Sequence, residues 1–284
     1  MALNGIDVAS YQAGYKVGKA GGSFVIVKAT QGTNYLNPEY GTQVKQTLAA
    51  GKKLGIYHFA QGGSAVAEAK YFLSKAKKSV GKAILVLDFE GSAVNRGVAW
   101  AKTWLDYVYQ QTGVRPLIYM GLADENRLNW SPVAKNYGLW IAQYNNYNRV
   151  SGYHPRSMYG SVKHWKTIAI FQYTSAGKLS GWGGNLDFNV FYGSKATWDK
   201  YAKTGDKSKA KSKKKTYLKA AKQVQARAGI NRYYDTAFKR KENHYKKGTV
   251  FDIAKVVKYG KITRLKLANG MYITANASLV KKLK

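Results

Sequence analysis

Short apolar runs alternate with amphipathic stretches along the first 200 residues, the pattern of strand and helix units around a parallel sheet. Eight runs read as strands: Gly5–Ala9, Phe24–Thr30, Lys53–Phe59, Ala83–Glu90, Pro116–Met120, Leu139–Gln143, Ile168–Tyr173 and Leu186–Phe191. Between them, Asn37-Pro38 supplies a cap and a first-turn proline for a helix ending near Gly51. Ser64 opens a second helix, with Val66, Ala69, Phe72, Leu73 and Ala76 on one face. A third, over 94–112, turns Val98, Ala101, Leu105 and Val108 inward and stops at Gly113. From Tyr144 to Lys166 the helical period is lost among Tyr, Asn, Gly and His, so no full helix is expected there. A short helix near Thr197–Lys203 closes this part. The pattern predicts an α/β fold over 1–203, an irregular TIM-like (β/α) barrel lacking some of its later helices.

A barrel of this kind carries its site at the carboxyl ends of its strands. The polar residues there are Asp7, Lys28, Thr30 and Gln31, Tyr57 and His58, Asp88 and Glu90, Tyr119, Gln143 and Tyr144, Gln172 and Tyr173, and Asp187. The fourth run, Ala-Ile-Leu-Val-Leu-Asp-Phe-Glu-Gly over 83–91, ends in two carboxylates one residue apart. Strand alternation points both the same way, with Cβ atoms about 7 Å apart. They read either as an acid/base pair in a cleft or as the start of a solvated loop. His58 reads as a hydrogen-bonded strand-end residue. No Gly-x-Ser-x-Gly turn is present to serve a serine nucleophile.

Beyond 203 the pattern changes. Residues 204–215 are low-complexity and basic, and read as an extended linker. Residues 216–284 read as a small all-β, barrel-like domain, with strand-like pieces at Lys222–Arg227, Thr249–Val257, Lys261–Leu267 and Met271–Thr274. Lys247-Gly248, Tyr259-Gly260 and Asn269-Gly270 punctuate them, the last a hairpin signal. Basic residues interleave with Tyr233, Tyr234, Phe238, Tyr245 and Tyr259, a mixture suited to sugars and wall phosphates or to nucleic acid.

Composition narrows the partners. The 284 residues carry 47 basic and 14 acidic side chains, a net charge of +33, which calls for a polyanionic partner or environment. Residues 1–203 hold 24 basic and 10 acidic groups, whereas 204–284 hold 23 and 4, so the charge is densest in the smaller part. With no cysteine and four scattered histidines, neither a disulfide framework nor a metal cluster is expected, and no cofactor is required. No run approaches a membrane span and no signal peptide is recognisable at the start.

The strand-end residues resemble those of the glycoside hydrolase family 25 lysozymes, muramidases used by many phages as endolysins. The matching pieces are Gly5-Ile-Asp7-Val-Ala-Ser10, Phe24-Val-Ile-Val-Lys28-Ala-Thr30, Gly55-Ile-Tyr57-His58-Phe59, Leu87-Asp88-Phe-Glu90, Leu139-Trp140-Ile-Ala142-Gln-Tyr144, Phe171-Gln172-Tyr173 and Leu186-Asp187-Phe-Asn189. Gln31 departs from the family, which often has Glu there. The resemblance implies cleavage of β-1,4 bonds between N-acetylmuramic acid and N-acetylglucosamine in peptidoglycan. It makes Glu90 the general acid/base and Asp88 a nucleophile or the residue that orients the 2-acetamido group, with Asp7 and Asp187 completing an acidic floor. Net retention through the substrate's own acetamide is the favoured route. Tyr57, Tyr119, Trp140, Tyr144 and Tyr173 are expected to line a sugar groove. A glucosaminidase or chitinase specificity, or a non-catalytic wall or polyanion binder, are the alternatives.

The tail, through Lys247-Gly-Thr-Val-Phe and the run from Thr263 to Asn276, resembles bacterial Src-homology-3-like wall-binding modules. That implies anionic wall polymers such as teichoic acids as its partner, a monomer, no specific nucleic acid and no membrane insertion. A phage or prophage product held in the host cytoplasm until a holin-type lesion releases it is the expected setting.

Overall fold

The structure is a computed structural model and describes residues 2–204 and 216–284. The chain divides into two compact units, Met1–Ala210 and Lys211–Lys284. The expected basic linker falls almost wholly outside the described residues.

The first unit is a closed barrel of eight strands: Leu3–Val8, Phe24–Gln31, Lys53–Phe59, Ala83–Asp88, Leu117–Gly121, Gly138–Ala142, Ile170–Lys178 and Leu186–Phe191. Each overlaps a strand expected from the sequence, with ends shifted by a few residues. Neighbours run parallel except the eighth, which is antiparallel to both the seventh and the first. This corrects the all-parallel expectation. Strand seven runs long and is joined to strand eight by the short loop 179–185, with Gly181 at φ 82°, and such a hairpin can only reverse direction. Pairing of the first and second strands closes the ring.

Alternation then divides the apolar residues into two cores. Residues of one parity, among them Ile26, Ile84, Val86, Leu117, Trp140, Ile170 and Phe191, fill the barrel. Those of the other parity, such as Val25, Ile56, Leu85, Ile118 and Phe171, face the helices. The bore is tight enough that a Cβ on Gly5 would lie 2.4 Å from the Phe24 carbonyl oxygen. The amino ends of the strands are closed by the helix Lys195–Ala202, which Ser194 caps. Its Trp198 is fully buried, donates to the Leu54 carbonyl at 3.1 Å and lies 4.6 Å from the Phe24 ring.

Helices Tyr40–Ala49, Ala65–Ala76 and Gly97–Thr112 follow strands two to four, as the periodicity predicts. The third ends at Gly113 in the left-handed region (φ 76°). After strand five come only two short helices, Leu122–Arg127 and Ser131–Ala134, and residues 143–169 contain no helix. Buried Glu125 pins this irregular stretch. It accepts the backbone N–H of Lys163 (2.9 Å) and His164 (2.8 Å) and pairs with the His164 ring at 3.0 Å.

The second unit is a seven-stranded, largely antiparallel sheet: Gln223–Ala226, Ile230–Tyr233, Lys241–Tyr245, Val250–Tyr259, Ile262–Leu267, Tyr272–Thr274 and Val280–Lys282. Four of these match the expected strands. The other three were missed because they are short, and Lys-Glu-Asn-His-Tyr over 241–245 has no apolar alternation. The turn at Asn269-Gly270 forms as expected, with Gly270 at φ 83°. The unit's own core includes Val224, Phe251, Leu265 and Ile273. Among the described residues no helix is long and apolar enough to cross a membrane.

Candidate active site

Strand four is buried along its whole length and ends at Asp88, which is 6% exposed. Its geometry persists past the last ladder pair. The Phe89 N–H donates to the Tyr119 carbonyl (3.0 Å), and Glu90 stays extended at φ −143°, ψ −177°. Phe89 therefore turns outward between Trp100 and Trp130, while Asp88 and Glu90 face the barrel mouth. There they meet Asp7 and Asp187 in a cleft of about 480 Å³.

Asp7 and Asp187 are cross-strand partners in the seam between the first and last strands. In a parallel strand, Asp187, second residue of Leu186–Phe191, would sit at the rim opposite the site. The antiparallel run puts it at the same rim as the carboxyl ends of the other seven.

A hydrogen-bond network fixes Asp7. The amides of Gln172 (2.8 Å) and Asn189 (2.6 Å) both donate to its Oδ1. Each amide is held by its other end. The Trp140 indole, a pure donor, gives to Asn189 Oδ1 at 2.8 Å, and the hydroxyls of Tyr119 (2.7 Å) and Tyr144 (2.6 Å) both reach Gln172 Oε1. Asp88 has no such support: its Oδ1 is buried with no partner among the described residues. A buried acceptor without a donor is costly in the empty protein and is ready for a ligand N–H.

All four carboxyls are pushed upward. Burial is the main cause for each. Repulsion from Asp187 adds to it at Asp7, and repulsion from Glu90 adds at Asp88 and at Asp187, which rises to about 6. Lys28 opposes the rise at Asp88 and Glu90. Its ammonium donates to Gln31 Oε1 (2.7 Å) and lies 4.6 Å from the Phe59 ring centre, and burial lowers its own pKa. The cleft thus holds one cation against four acids, so some acids keep their protons where solvated carboxyls would have lost them.

A pH-dependence follows. An acid with a raised pKa stays protonated to higher pH, so the alkaline limb of kcat/KM lies above the range of a solvated glutamate. Lys28→Met removes the one influence from a cation that lowers Glu90, so this limb is expected to move to still higher pH. A pH–rate profile of the two proteins checks it, and a limb that moves down or stays put contradicts the assignment of Lys28.

The cleft brings together most of the residues expected from the sequence. Tyr57, Tyr119, Trp140 and Tyr144 line it. Tyr119 and Trp140 are nearly buried and stacked edge-on at 4.6 Å, so they form the floor and hold amides. Tyr173 is not there. It has the parity of Phe171, faces outward and packs against Phe171 and Phe188. One residue earlier, Gln172 takes the inward position, and alternation admits only one of the two. His58 is likewise outward and fully buried, between Thr30 (2.8 Å) and Glu68 (3.0 Å). Gln172 and Asn189 are working parts of the site that drew no role from the sequence, although the strand parity of Asp187 points to Asn189. Tyr11, 86% exposed at the cleft edge, lies in a short helical turn with no sequence signal.

A family model described as glycosyl hydrolases family 25 matches residues 6–182, and a domain family of unknown function matches 214–280. An N,O-diacetylmuramidase of Chalaropsis sp. is 34% identical over 159 residues, covering 49% of this chain and 73% of that protein. Lysozyme M1 of Streptomyces globisporus is 29% identical over 213 residues, or 68% and 69% of the two chains. The crystal structure of a bacterial lysozyme from Streptomyces coelicolor superposes with a TM-score of 0.61 at 26% identity, covering 70% of this chain and 96% of that one.

Proposed function

We propose, from the premise that the chain belongs to glycosyl hydrolase family 25, that it is a muramidase cleaving the β-1,4 bond between N-acetylmuramic acid and N-acetylglucosamine in peptidoglycan. The observation that carries the reading is the convergence of Asp7, Asp88, Glu90 and Asp187 on one cleft with a single lysine among them. A polyanion binder gains nothing from acids concentrated there.

In this reading Glu90 gives its proton to the glycosidic oxygen as the C–O bond breaks, and later takes one from water. Its raised pKa keeps that proton available. Asp88 receives the N–H of the 2-acetamido group on its unpartnered Oδ1, and the acetamide oxygen attacks the anomeric carbon. Water then opens the resulting ring from the first face, so the configuration is retained overall. Asp7, held by two amides, and Asp187 lie along the seam and stabilise positive charge developing on the sugar. The aromatic floor excludes water beneath it.

Mass spectrometry of digested wall tests the specificity. Muramic acid at the new reducing ends supports the muramidase, and glucosamine there points to the glucosaminidase alternative. Freshly released β-anomers support retention, and α-anomers exclude it.

The second unit is read as a wall-targeting module of the Src-homology-3-like kind that takes anionic wall polymers. Its support is charge, with 17 basic and 3 acidic residues over 216–284, on a sheet with a core of its own. A phage or prophage lysin acting on Gram-positive walls fits both parts. Deleting 206–284 is expected to weaken sedimentation with walls while leaving hydrolysis of soluble glycan fragments intact. Equal sedimentation of the two proteins would refute the targeting role.

A further inference from the structure

In the second unit, strands Val250–Tyr259, Ile262–Leu267 and Tyr272–Thr274 turn Leu265, Leu267 and Ile273 into the core. Residues of opposite parity therefore share the outward face. Register places Lys255 opposite Lys266, Lys266 opposite Tyr272 and Tyr272 opposite Tyr233. The result is a row across four strands, about 14 Å long at the usual strand spacing. Two lysines directly opposite one another repel, a cost without return in the free protein.

Beside the row stands Arg264. Its guanidinium lies 3.8 Å from the Phe238 ring centre and 5.2 Å from that of Tyr259, and its Nε donates to the Thr236 carbonyl at 3.1 Å. Phe238 stacks in turn on Tyr233, with ring centres 4.2 Å apart and planes 10° apart. Its backbone is at φ 61°, the one non-glycine residue with positive φ among those described. That conformation is unfavourable for a bulky side chain. The loop is held in it by Asp235, which accepts the N–H of Lys239 (3.1 Å) and Arg240 (2.8 Å). The other two acids of the unit are also engaged: Glu242 pairs with Arg232, and Asp252 accepts from Gln223. Among the described residues no carboxylate pairs with Arg264, Lys255 or Lys266.

The geometry points to this face as the binding site for a phosphodiester-linked polyol or sugar polymer of the cell wall. Phosphates meet Lys255, Lys266 and the guanidinium of Arg264, while the repeating units between them lie against Tyr233, Phe238 and Tyr272. The inference rests on the wall-targeting reading of this unit and locates its ligand. A strained Phe held on a stacked arginine, beside unneutralised lysines in register, is a built surface and differs from the general basicity of the chain.

The test uses the full chain, sedimented with Gram-positive walls that carry poly(glycerol phosphate) and with the same walls stripped of it by hydrofluoric acid. Lys255→Glu with Lys266→Glu, and separately Phe238→Gly, are each expected to weaken binding to intact walls at least tenfold. Lys281→Glu with Lys282→Glu, the same charge change on the last strand, is expected to stay within about threefold. Glycine is at home at φ 61°, which offsets part of the packing lost with the ring, so Phe238→Gly should remain folded at the assay temperature, and its circular dichroism spectrum and melting curve separate lost binding from lost folding. Soluble poly(glycerol phosphate) should compete. An equal loss in the Lys281/Lys282 variant, equal binding to stripped walls, or equal competition per phosphate by duplex DNA would each overturn the proposal. Failure of the unaltered chain to sediment with either wall would instead remove the targeting reading itself.

Discussion

Replacing Glu90 with glutamine is expected to slow clearing of Gram-positive cell suspensions by about 10²–10⁴-fold, the usual contribution of a positioned general acid. Glutamine keeps the shape of the side chain and its place one residue after Phe89, so fold and wall binding should survive. The loss should appear in kcat, with KM little changed, because the proton is transferred only as the bond breaks. Asp88→Asn tests the other half. An amide there presents a donor as well as an acceptor to the acetamide N–H, so orientation is lost although the charge repulsion on Glu90 is relieved. Clearance by Glu90→Gln as fast as by the unaltered protein would end the enzymatic assignment.

The second large effect is on stability. Glu68 lies in the first turn of Ala65–Ala76, is 1% exposed, and accepts from the N–H groups of Gln61 (3.0 Å) and Gly63 (2.8 Å) and from His58 (3.0 Å). It thereby ties the loop after strand three to the helix that follows, behind the barrel wall. Glu68→Ala leaves the buried His58 ring and the N–H groups of Gln61 and Gly63 without their acceptor and should cost about 1–3 kcal/mol, the usual penalty for a buried polar group left unpaired. Urea unfolding followed by tryptophan fluorescence measures it, and a loss under 1 kcal/mol would show that water replaces the carboxylate.

The same pair sets the acid side of the stability curve. Burial outweighs the pull of Glu68 and lowers the His58 pKa, so the unfolded chain takes up that proton more readily. Burial alone would raise Glu68, but hydrogen bonds from His58, Gln61 and Gly63 outweigh it and hold its pKa low. In both cases the unfolded state binds more protons, so stability contributed here is present at neutral pH. It declines as pH falls below about 6.5 and further through the carboxylate range. The cleft carboxyls have raised pKa values and act in the opposite sense. The Glu68→Ala protein, being less stable, should unfold at a higher pH on acidification than the unaltered protein.

How far the sequence reaches can be seen in these residues. Asp88 and Glu90 were legible because a buried strand and a period of two require nothing from elsewhere in the chain. Asp187 was legible as a residue, but its arrival at the right rim depends on a reversal of strand direction that no local pattern encodes. Tyr173 and Gln172 sit one position apart, and a one-residue uncertainty in parity exchanges groove for outer packing. Glu68 and Glu125 left no signal, since a charged residue in a helix reads as solvent-facing until its partners, 10 and up to 39 residues away, fold against it. In the tail, strands such as Lys241–Tyr245 lack alternation, and the register that aligns Lys255, Lys266, Tyr272 and Tyr233 is a property of three pairings together.

The reversed eighth strand also decides where the polypeptide leaves the barrel. Running from the mouth toward the closed end, it delivers the chain to Ser194 and the helix that carries the Trp198 plug. A parallel strand in its place would have ended at the mouth, with any following sequence emerging among the substrate-facing loops. Because the exit is at the floor, none of the described residues of this unit after Asp187 lines the cleft. The rim is therefore built wholly from the loops and strand ends that precede the last helix, and sequence appended after that helix is added without rebuilding the mouth.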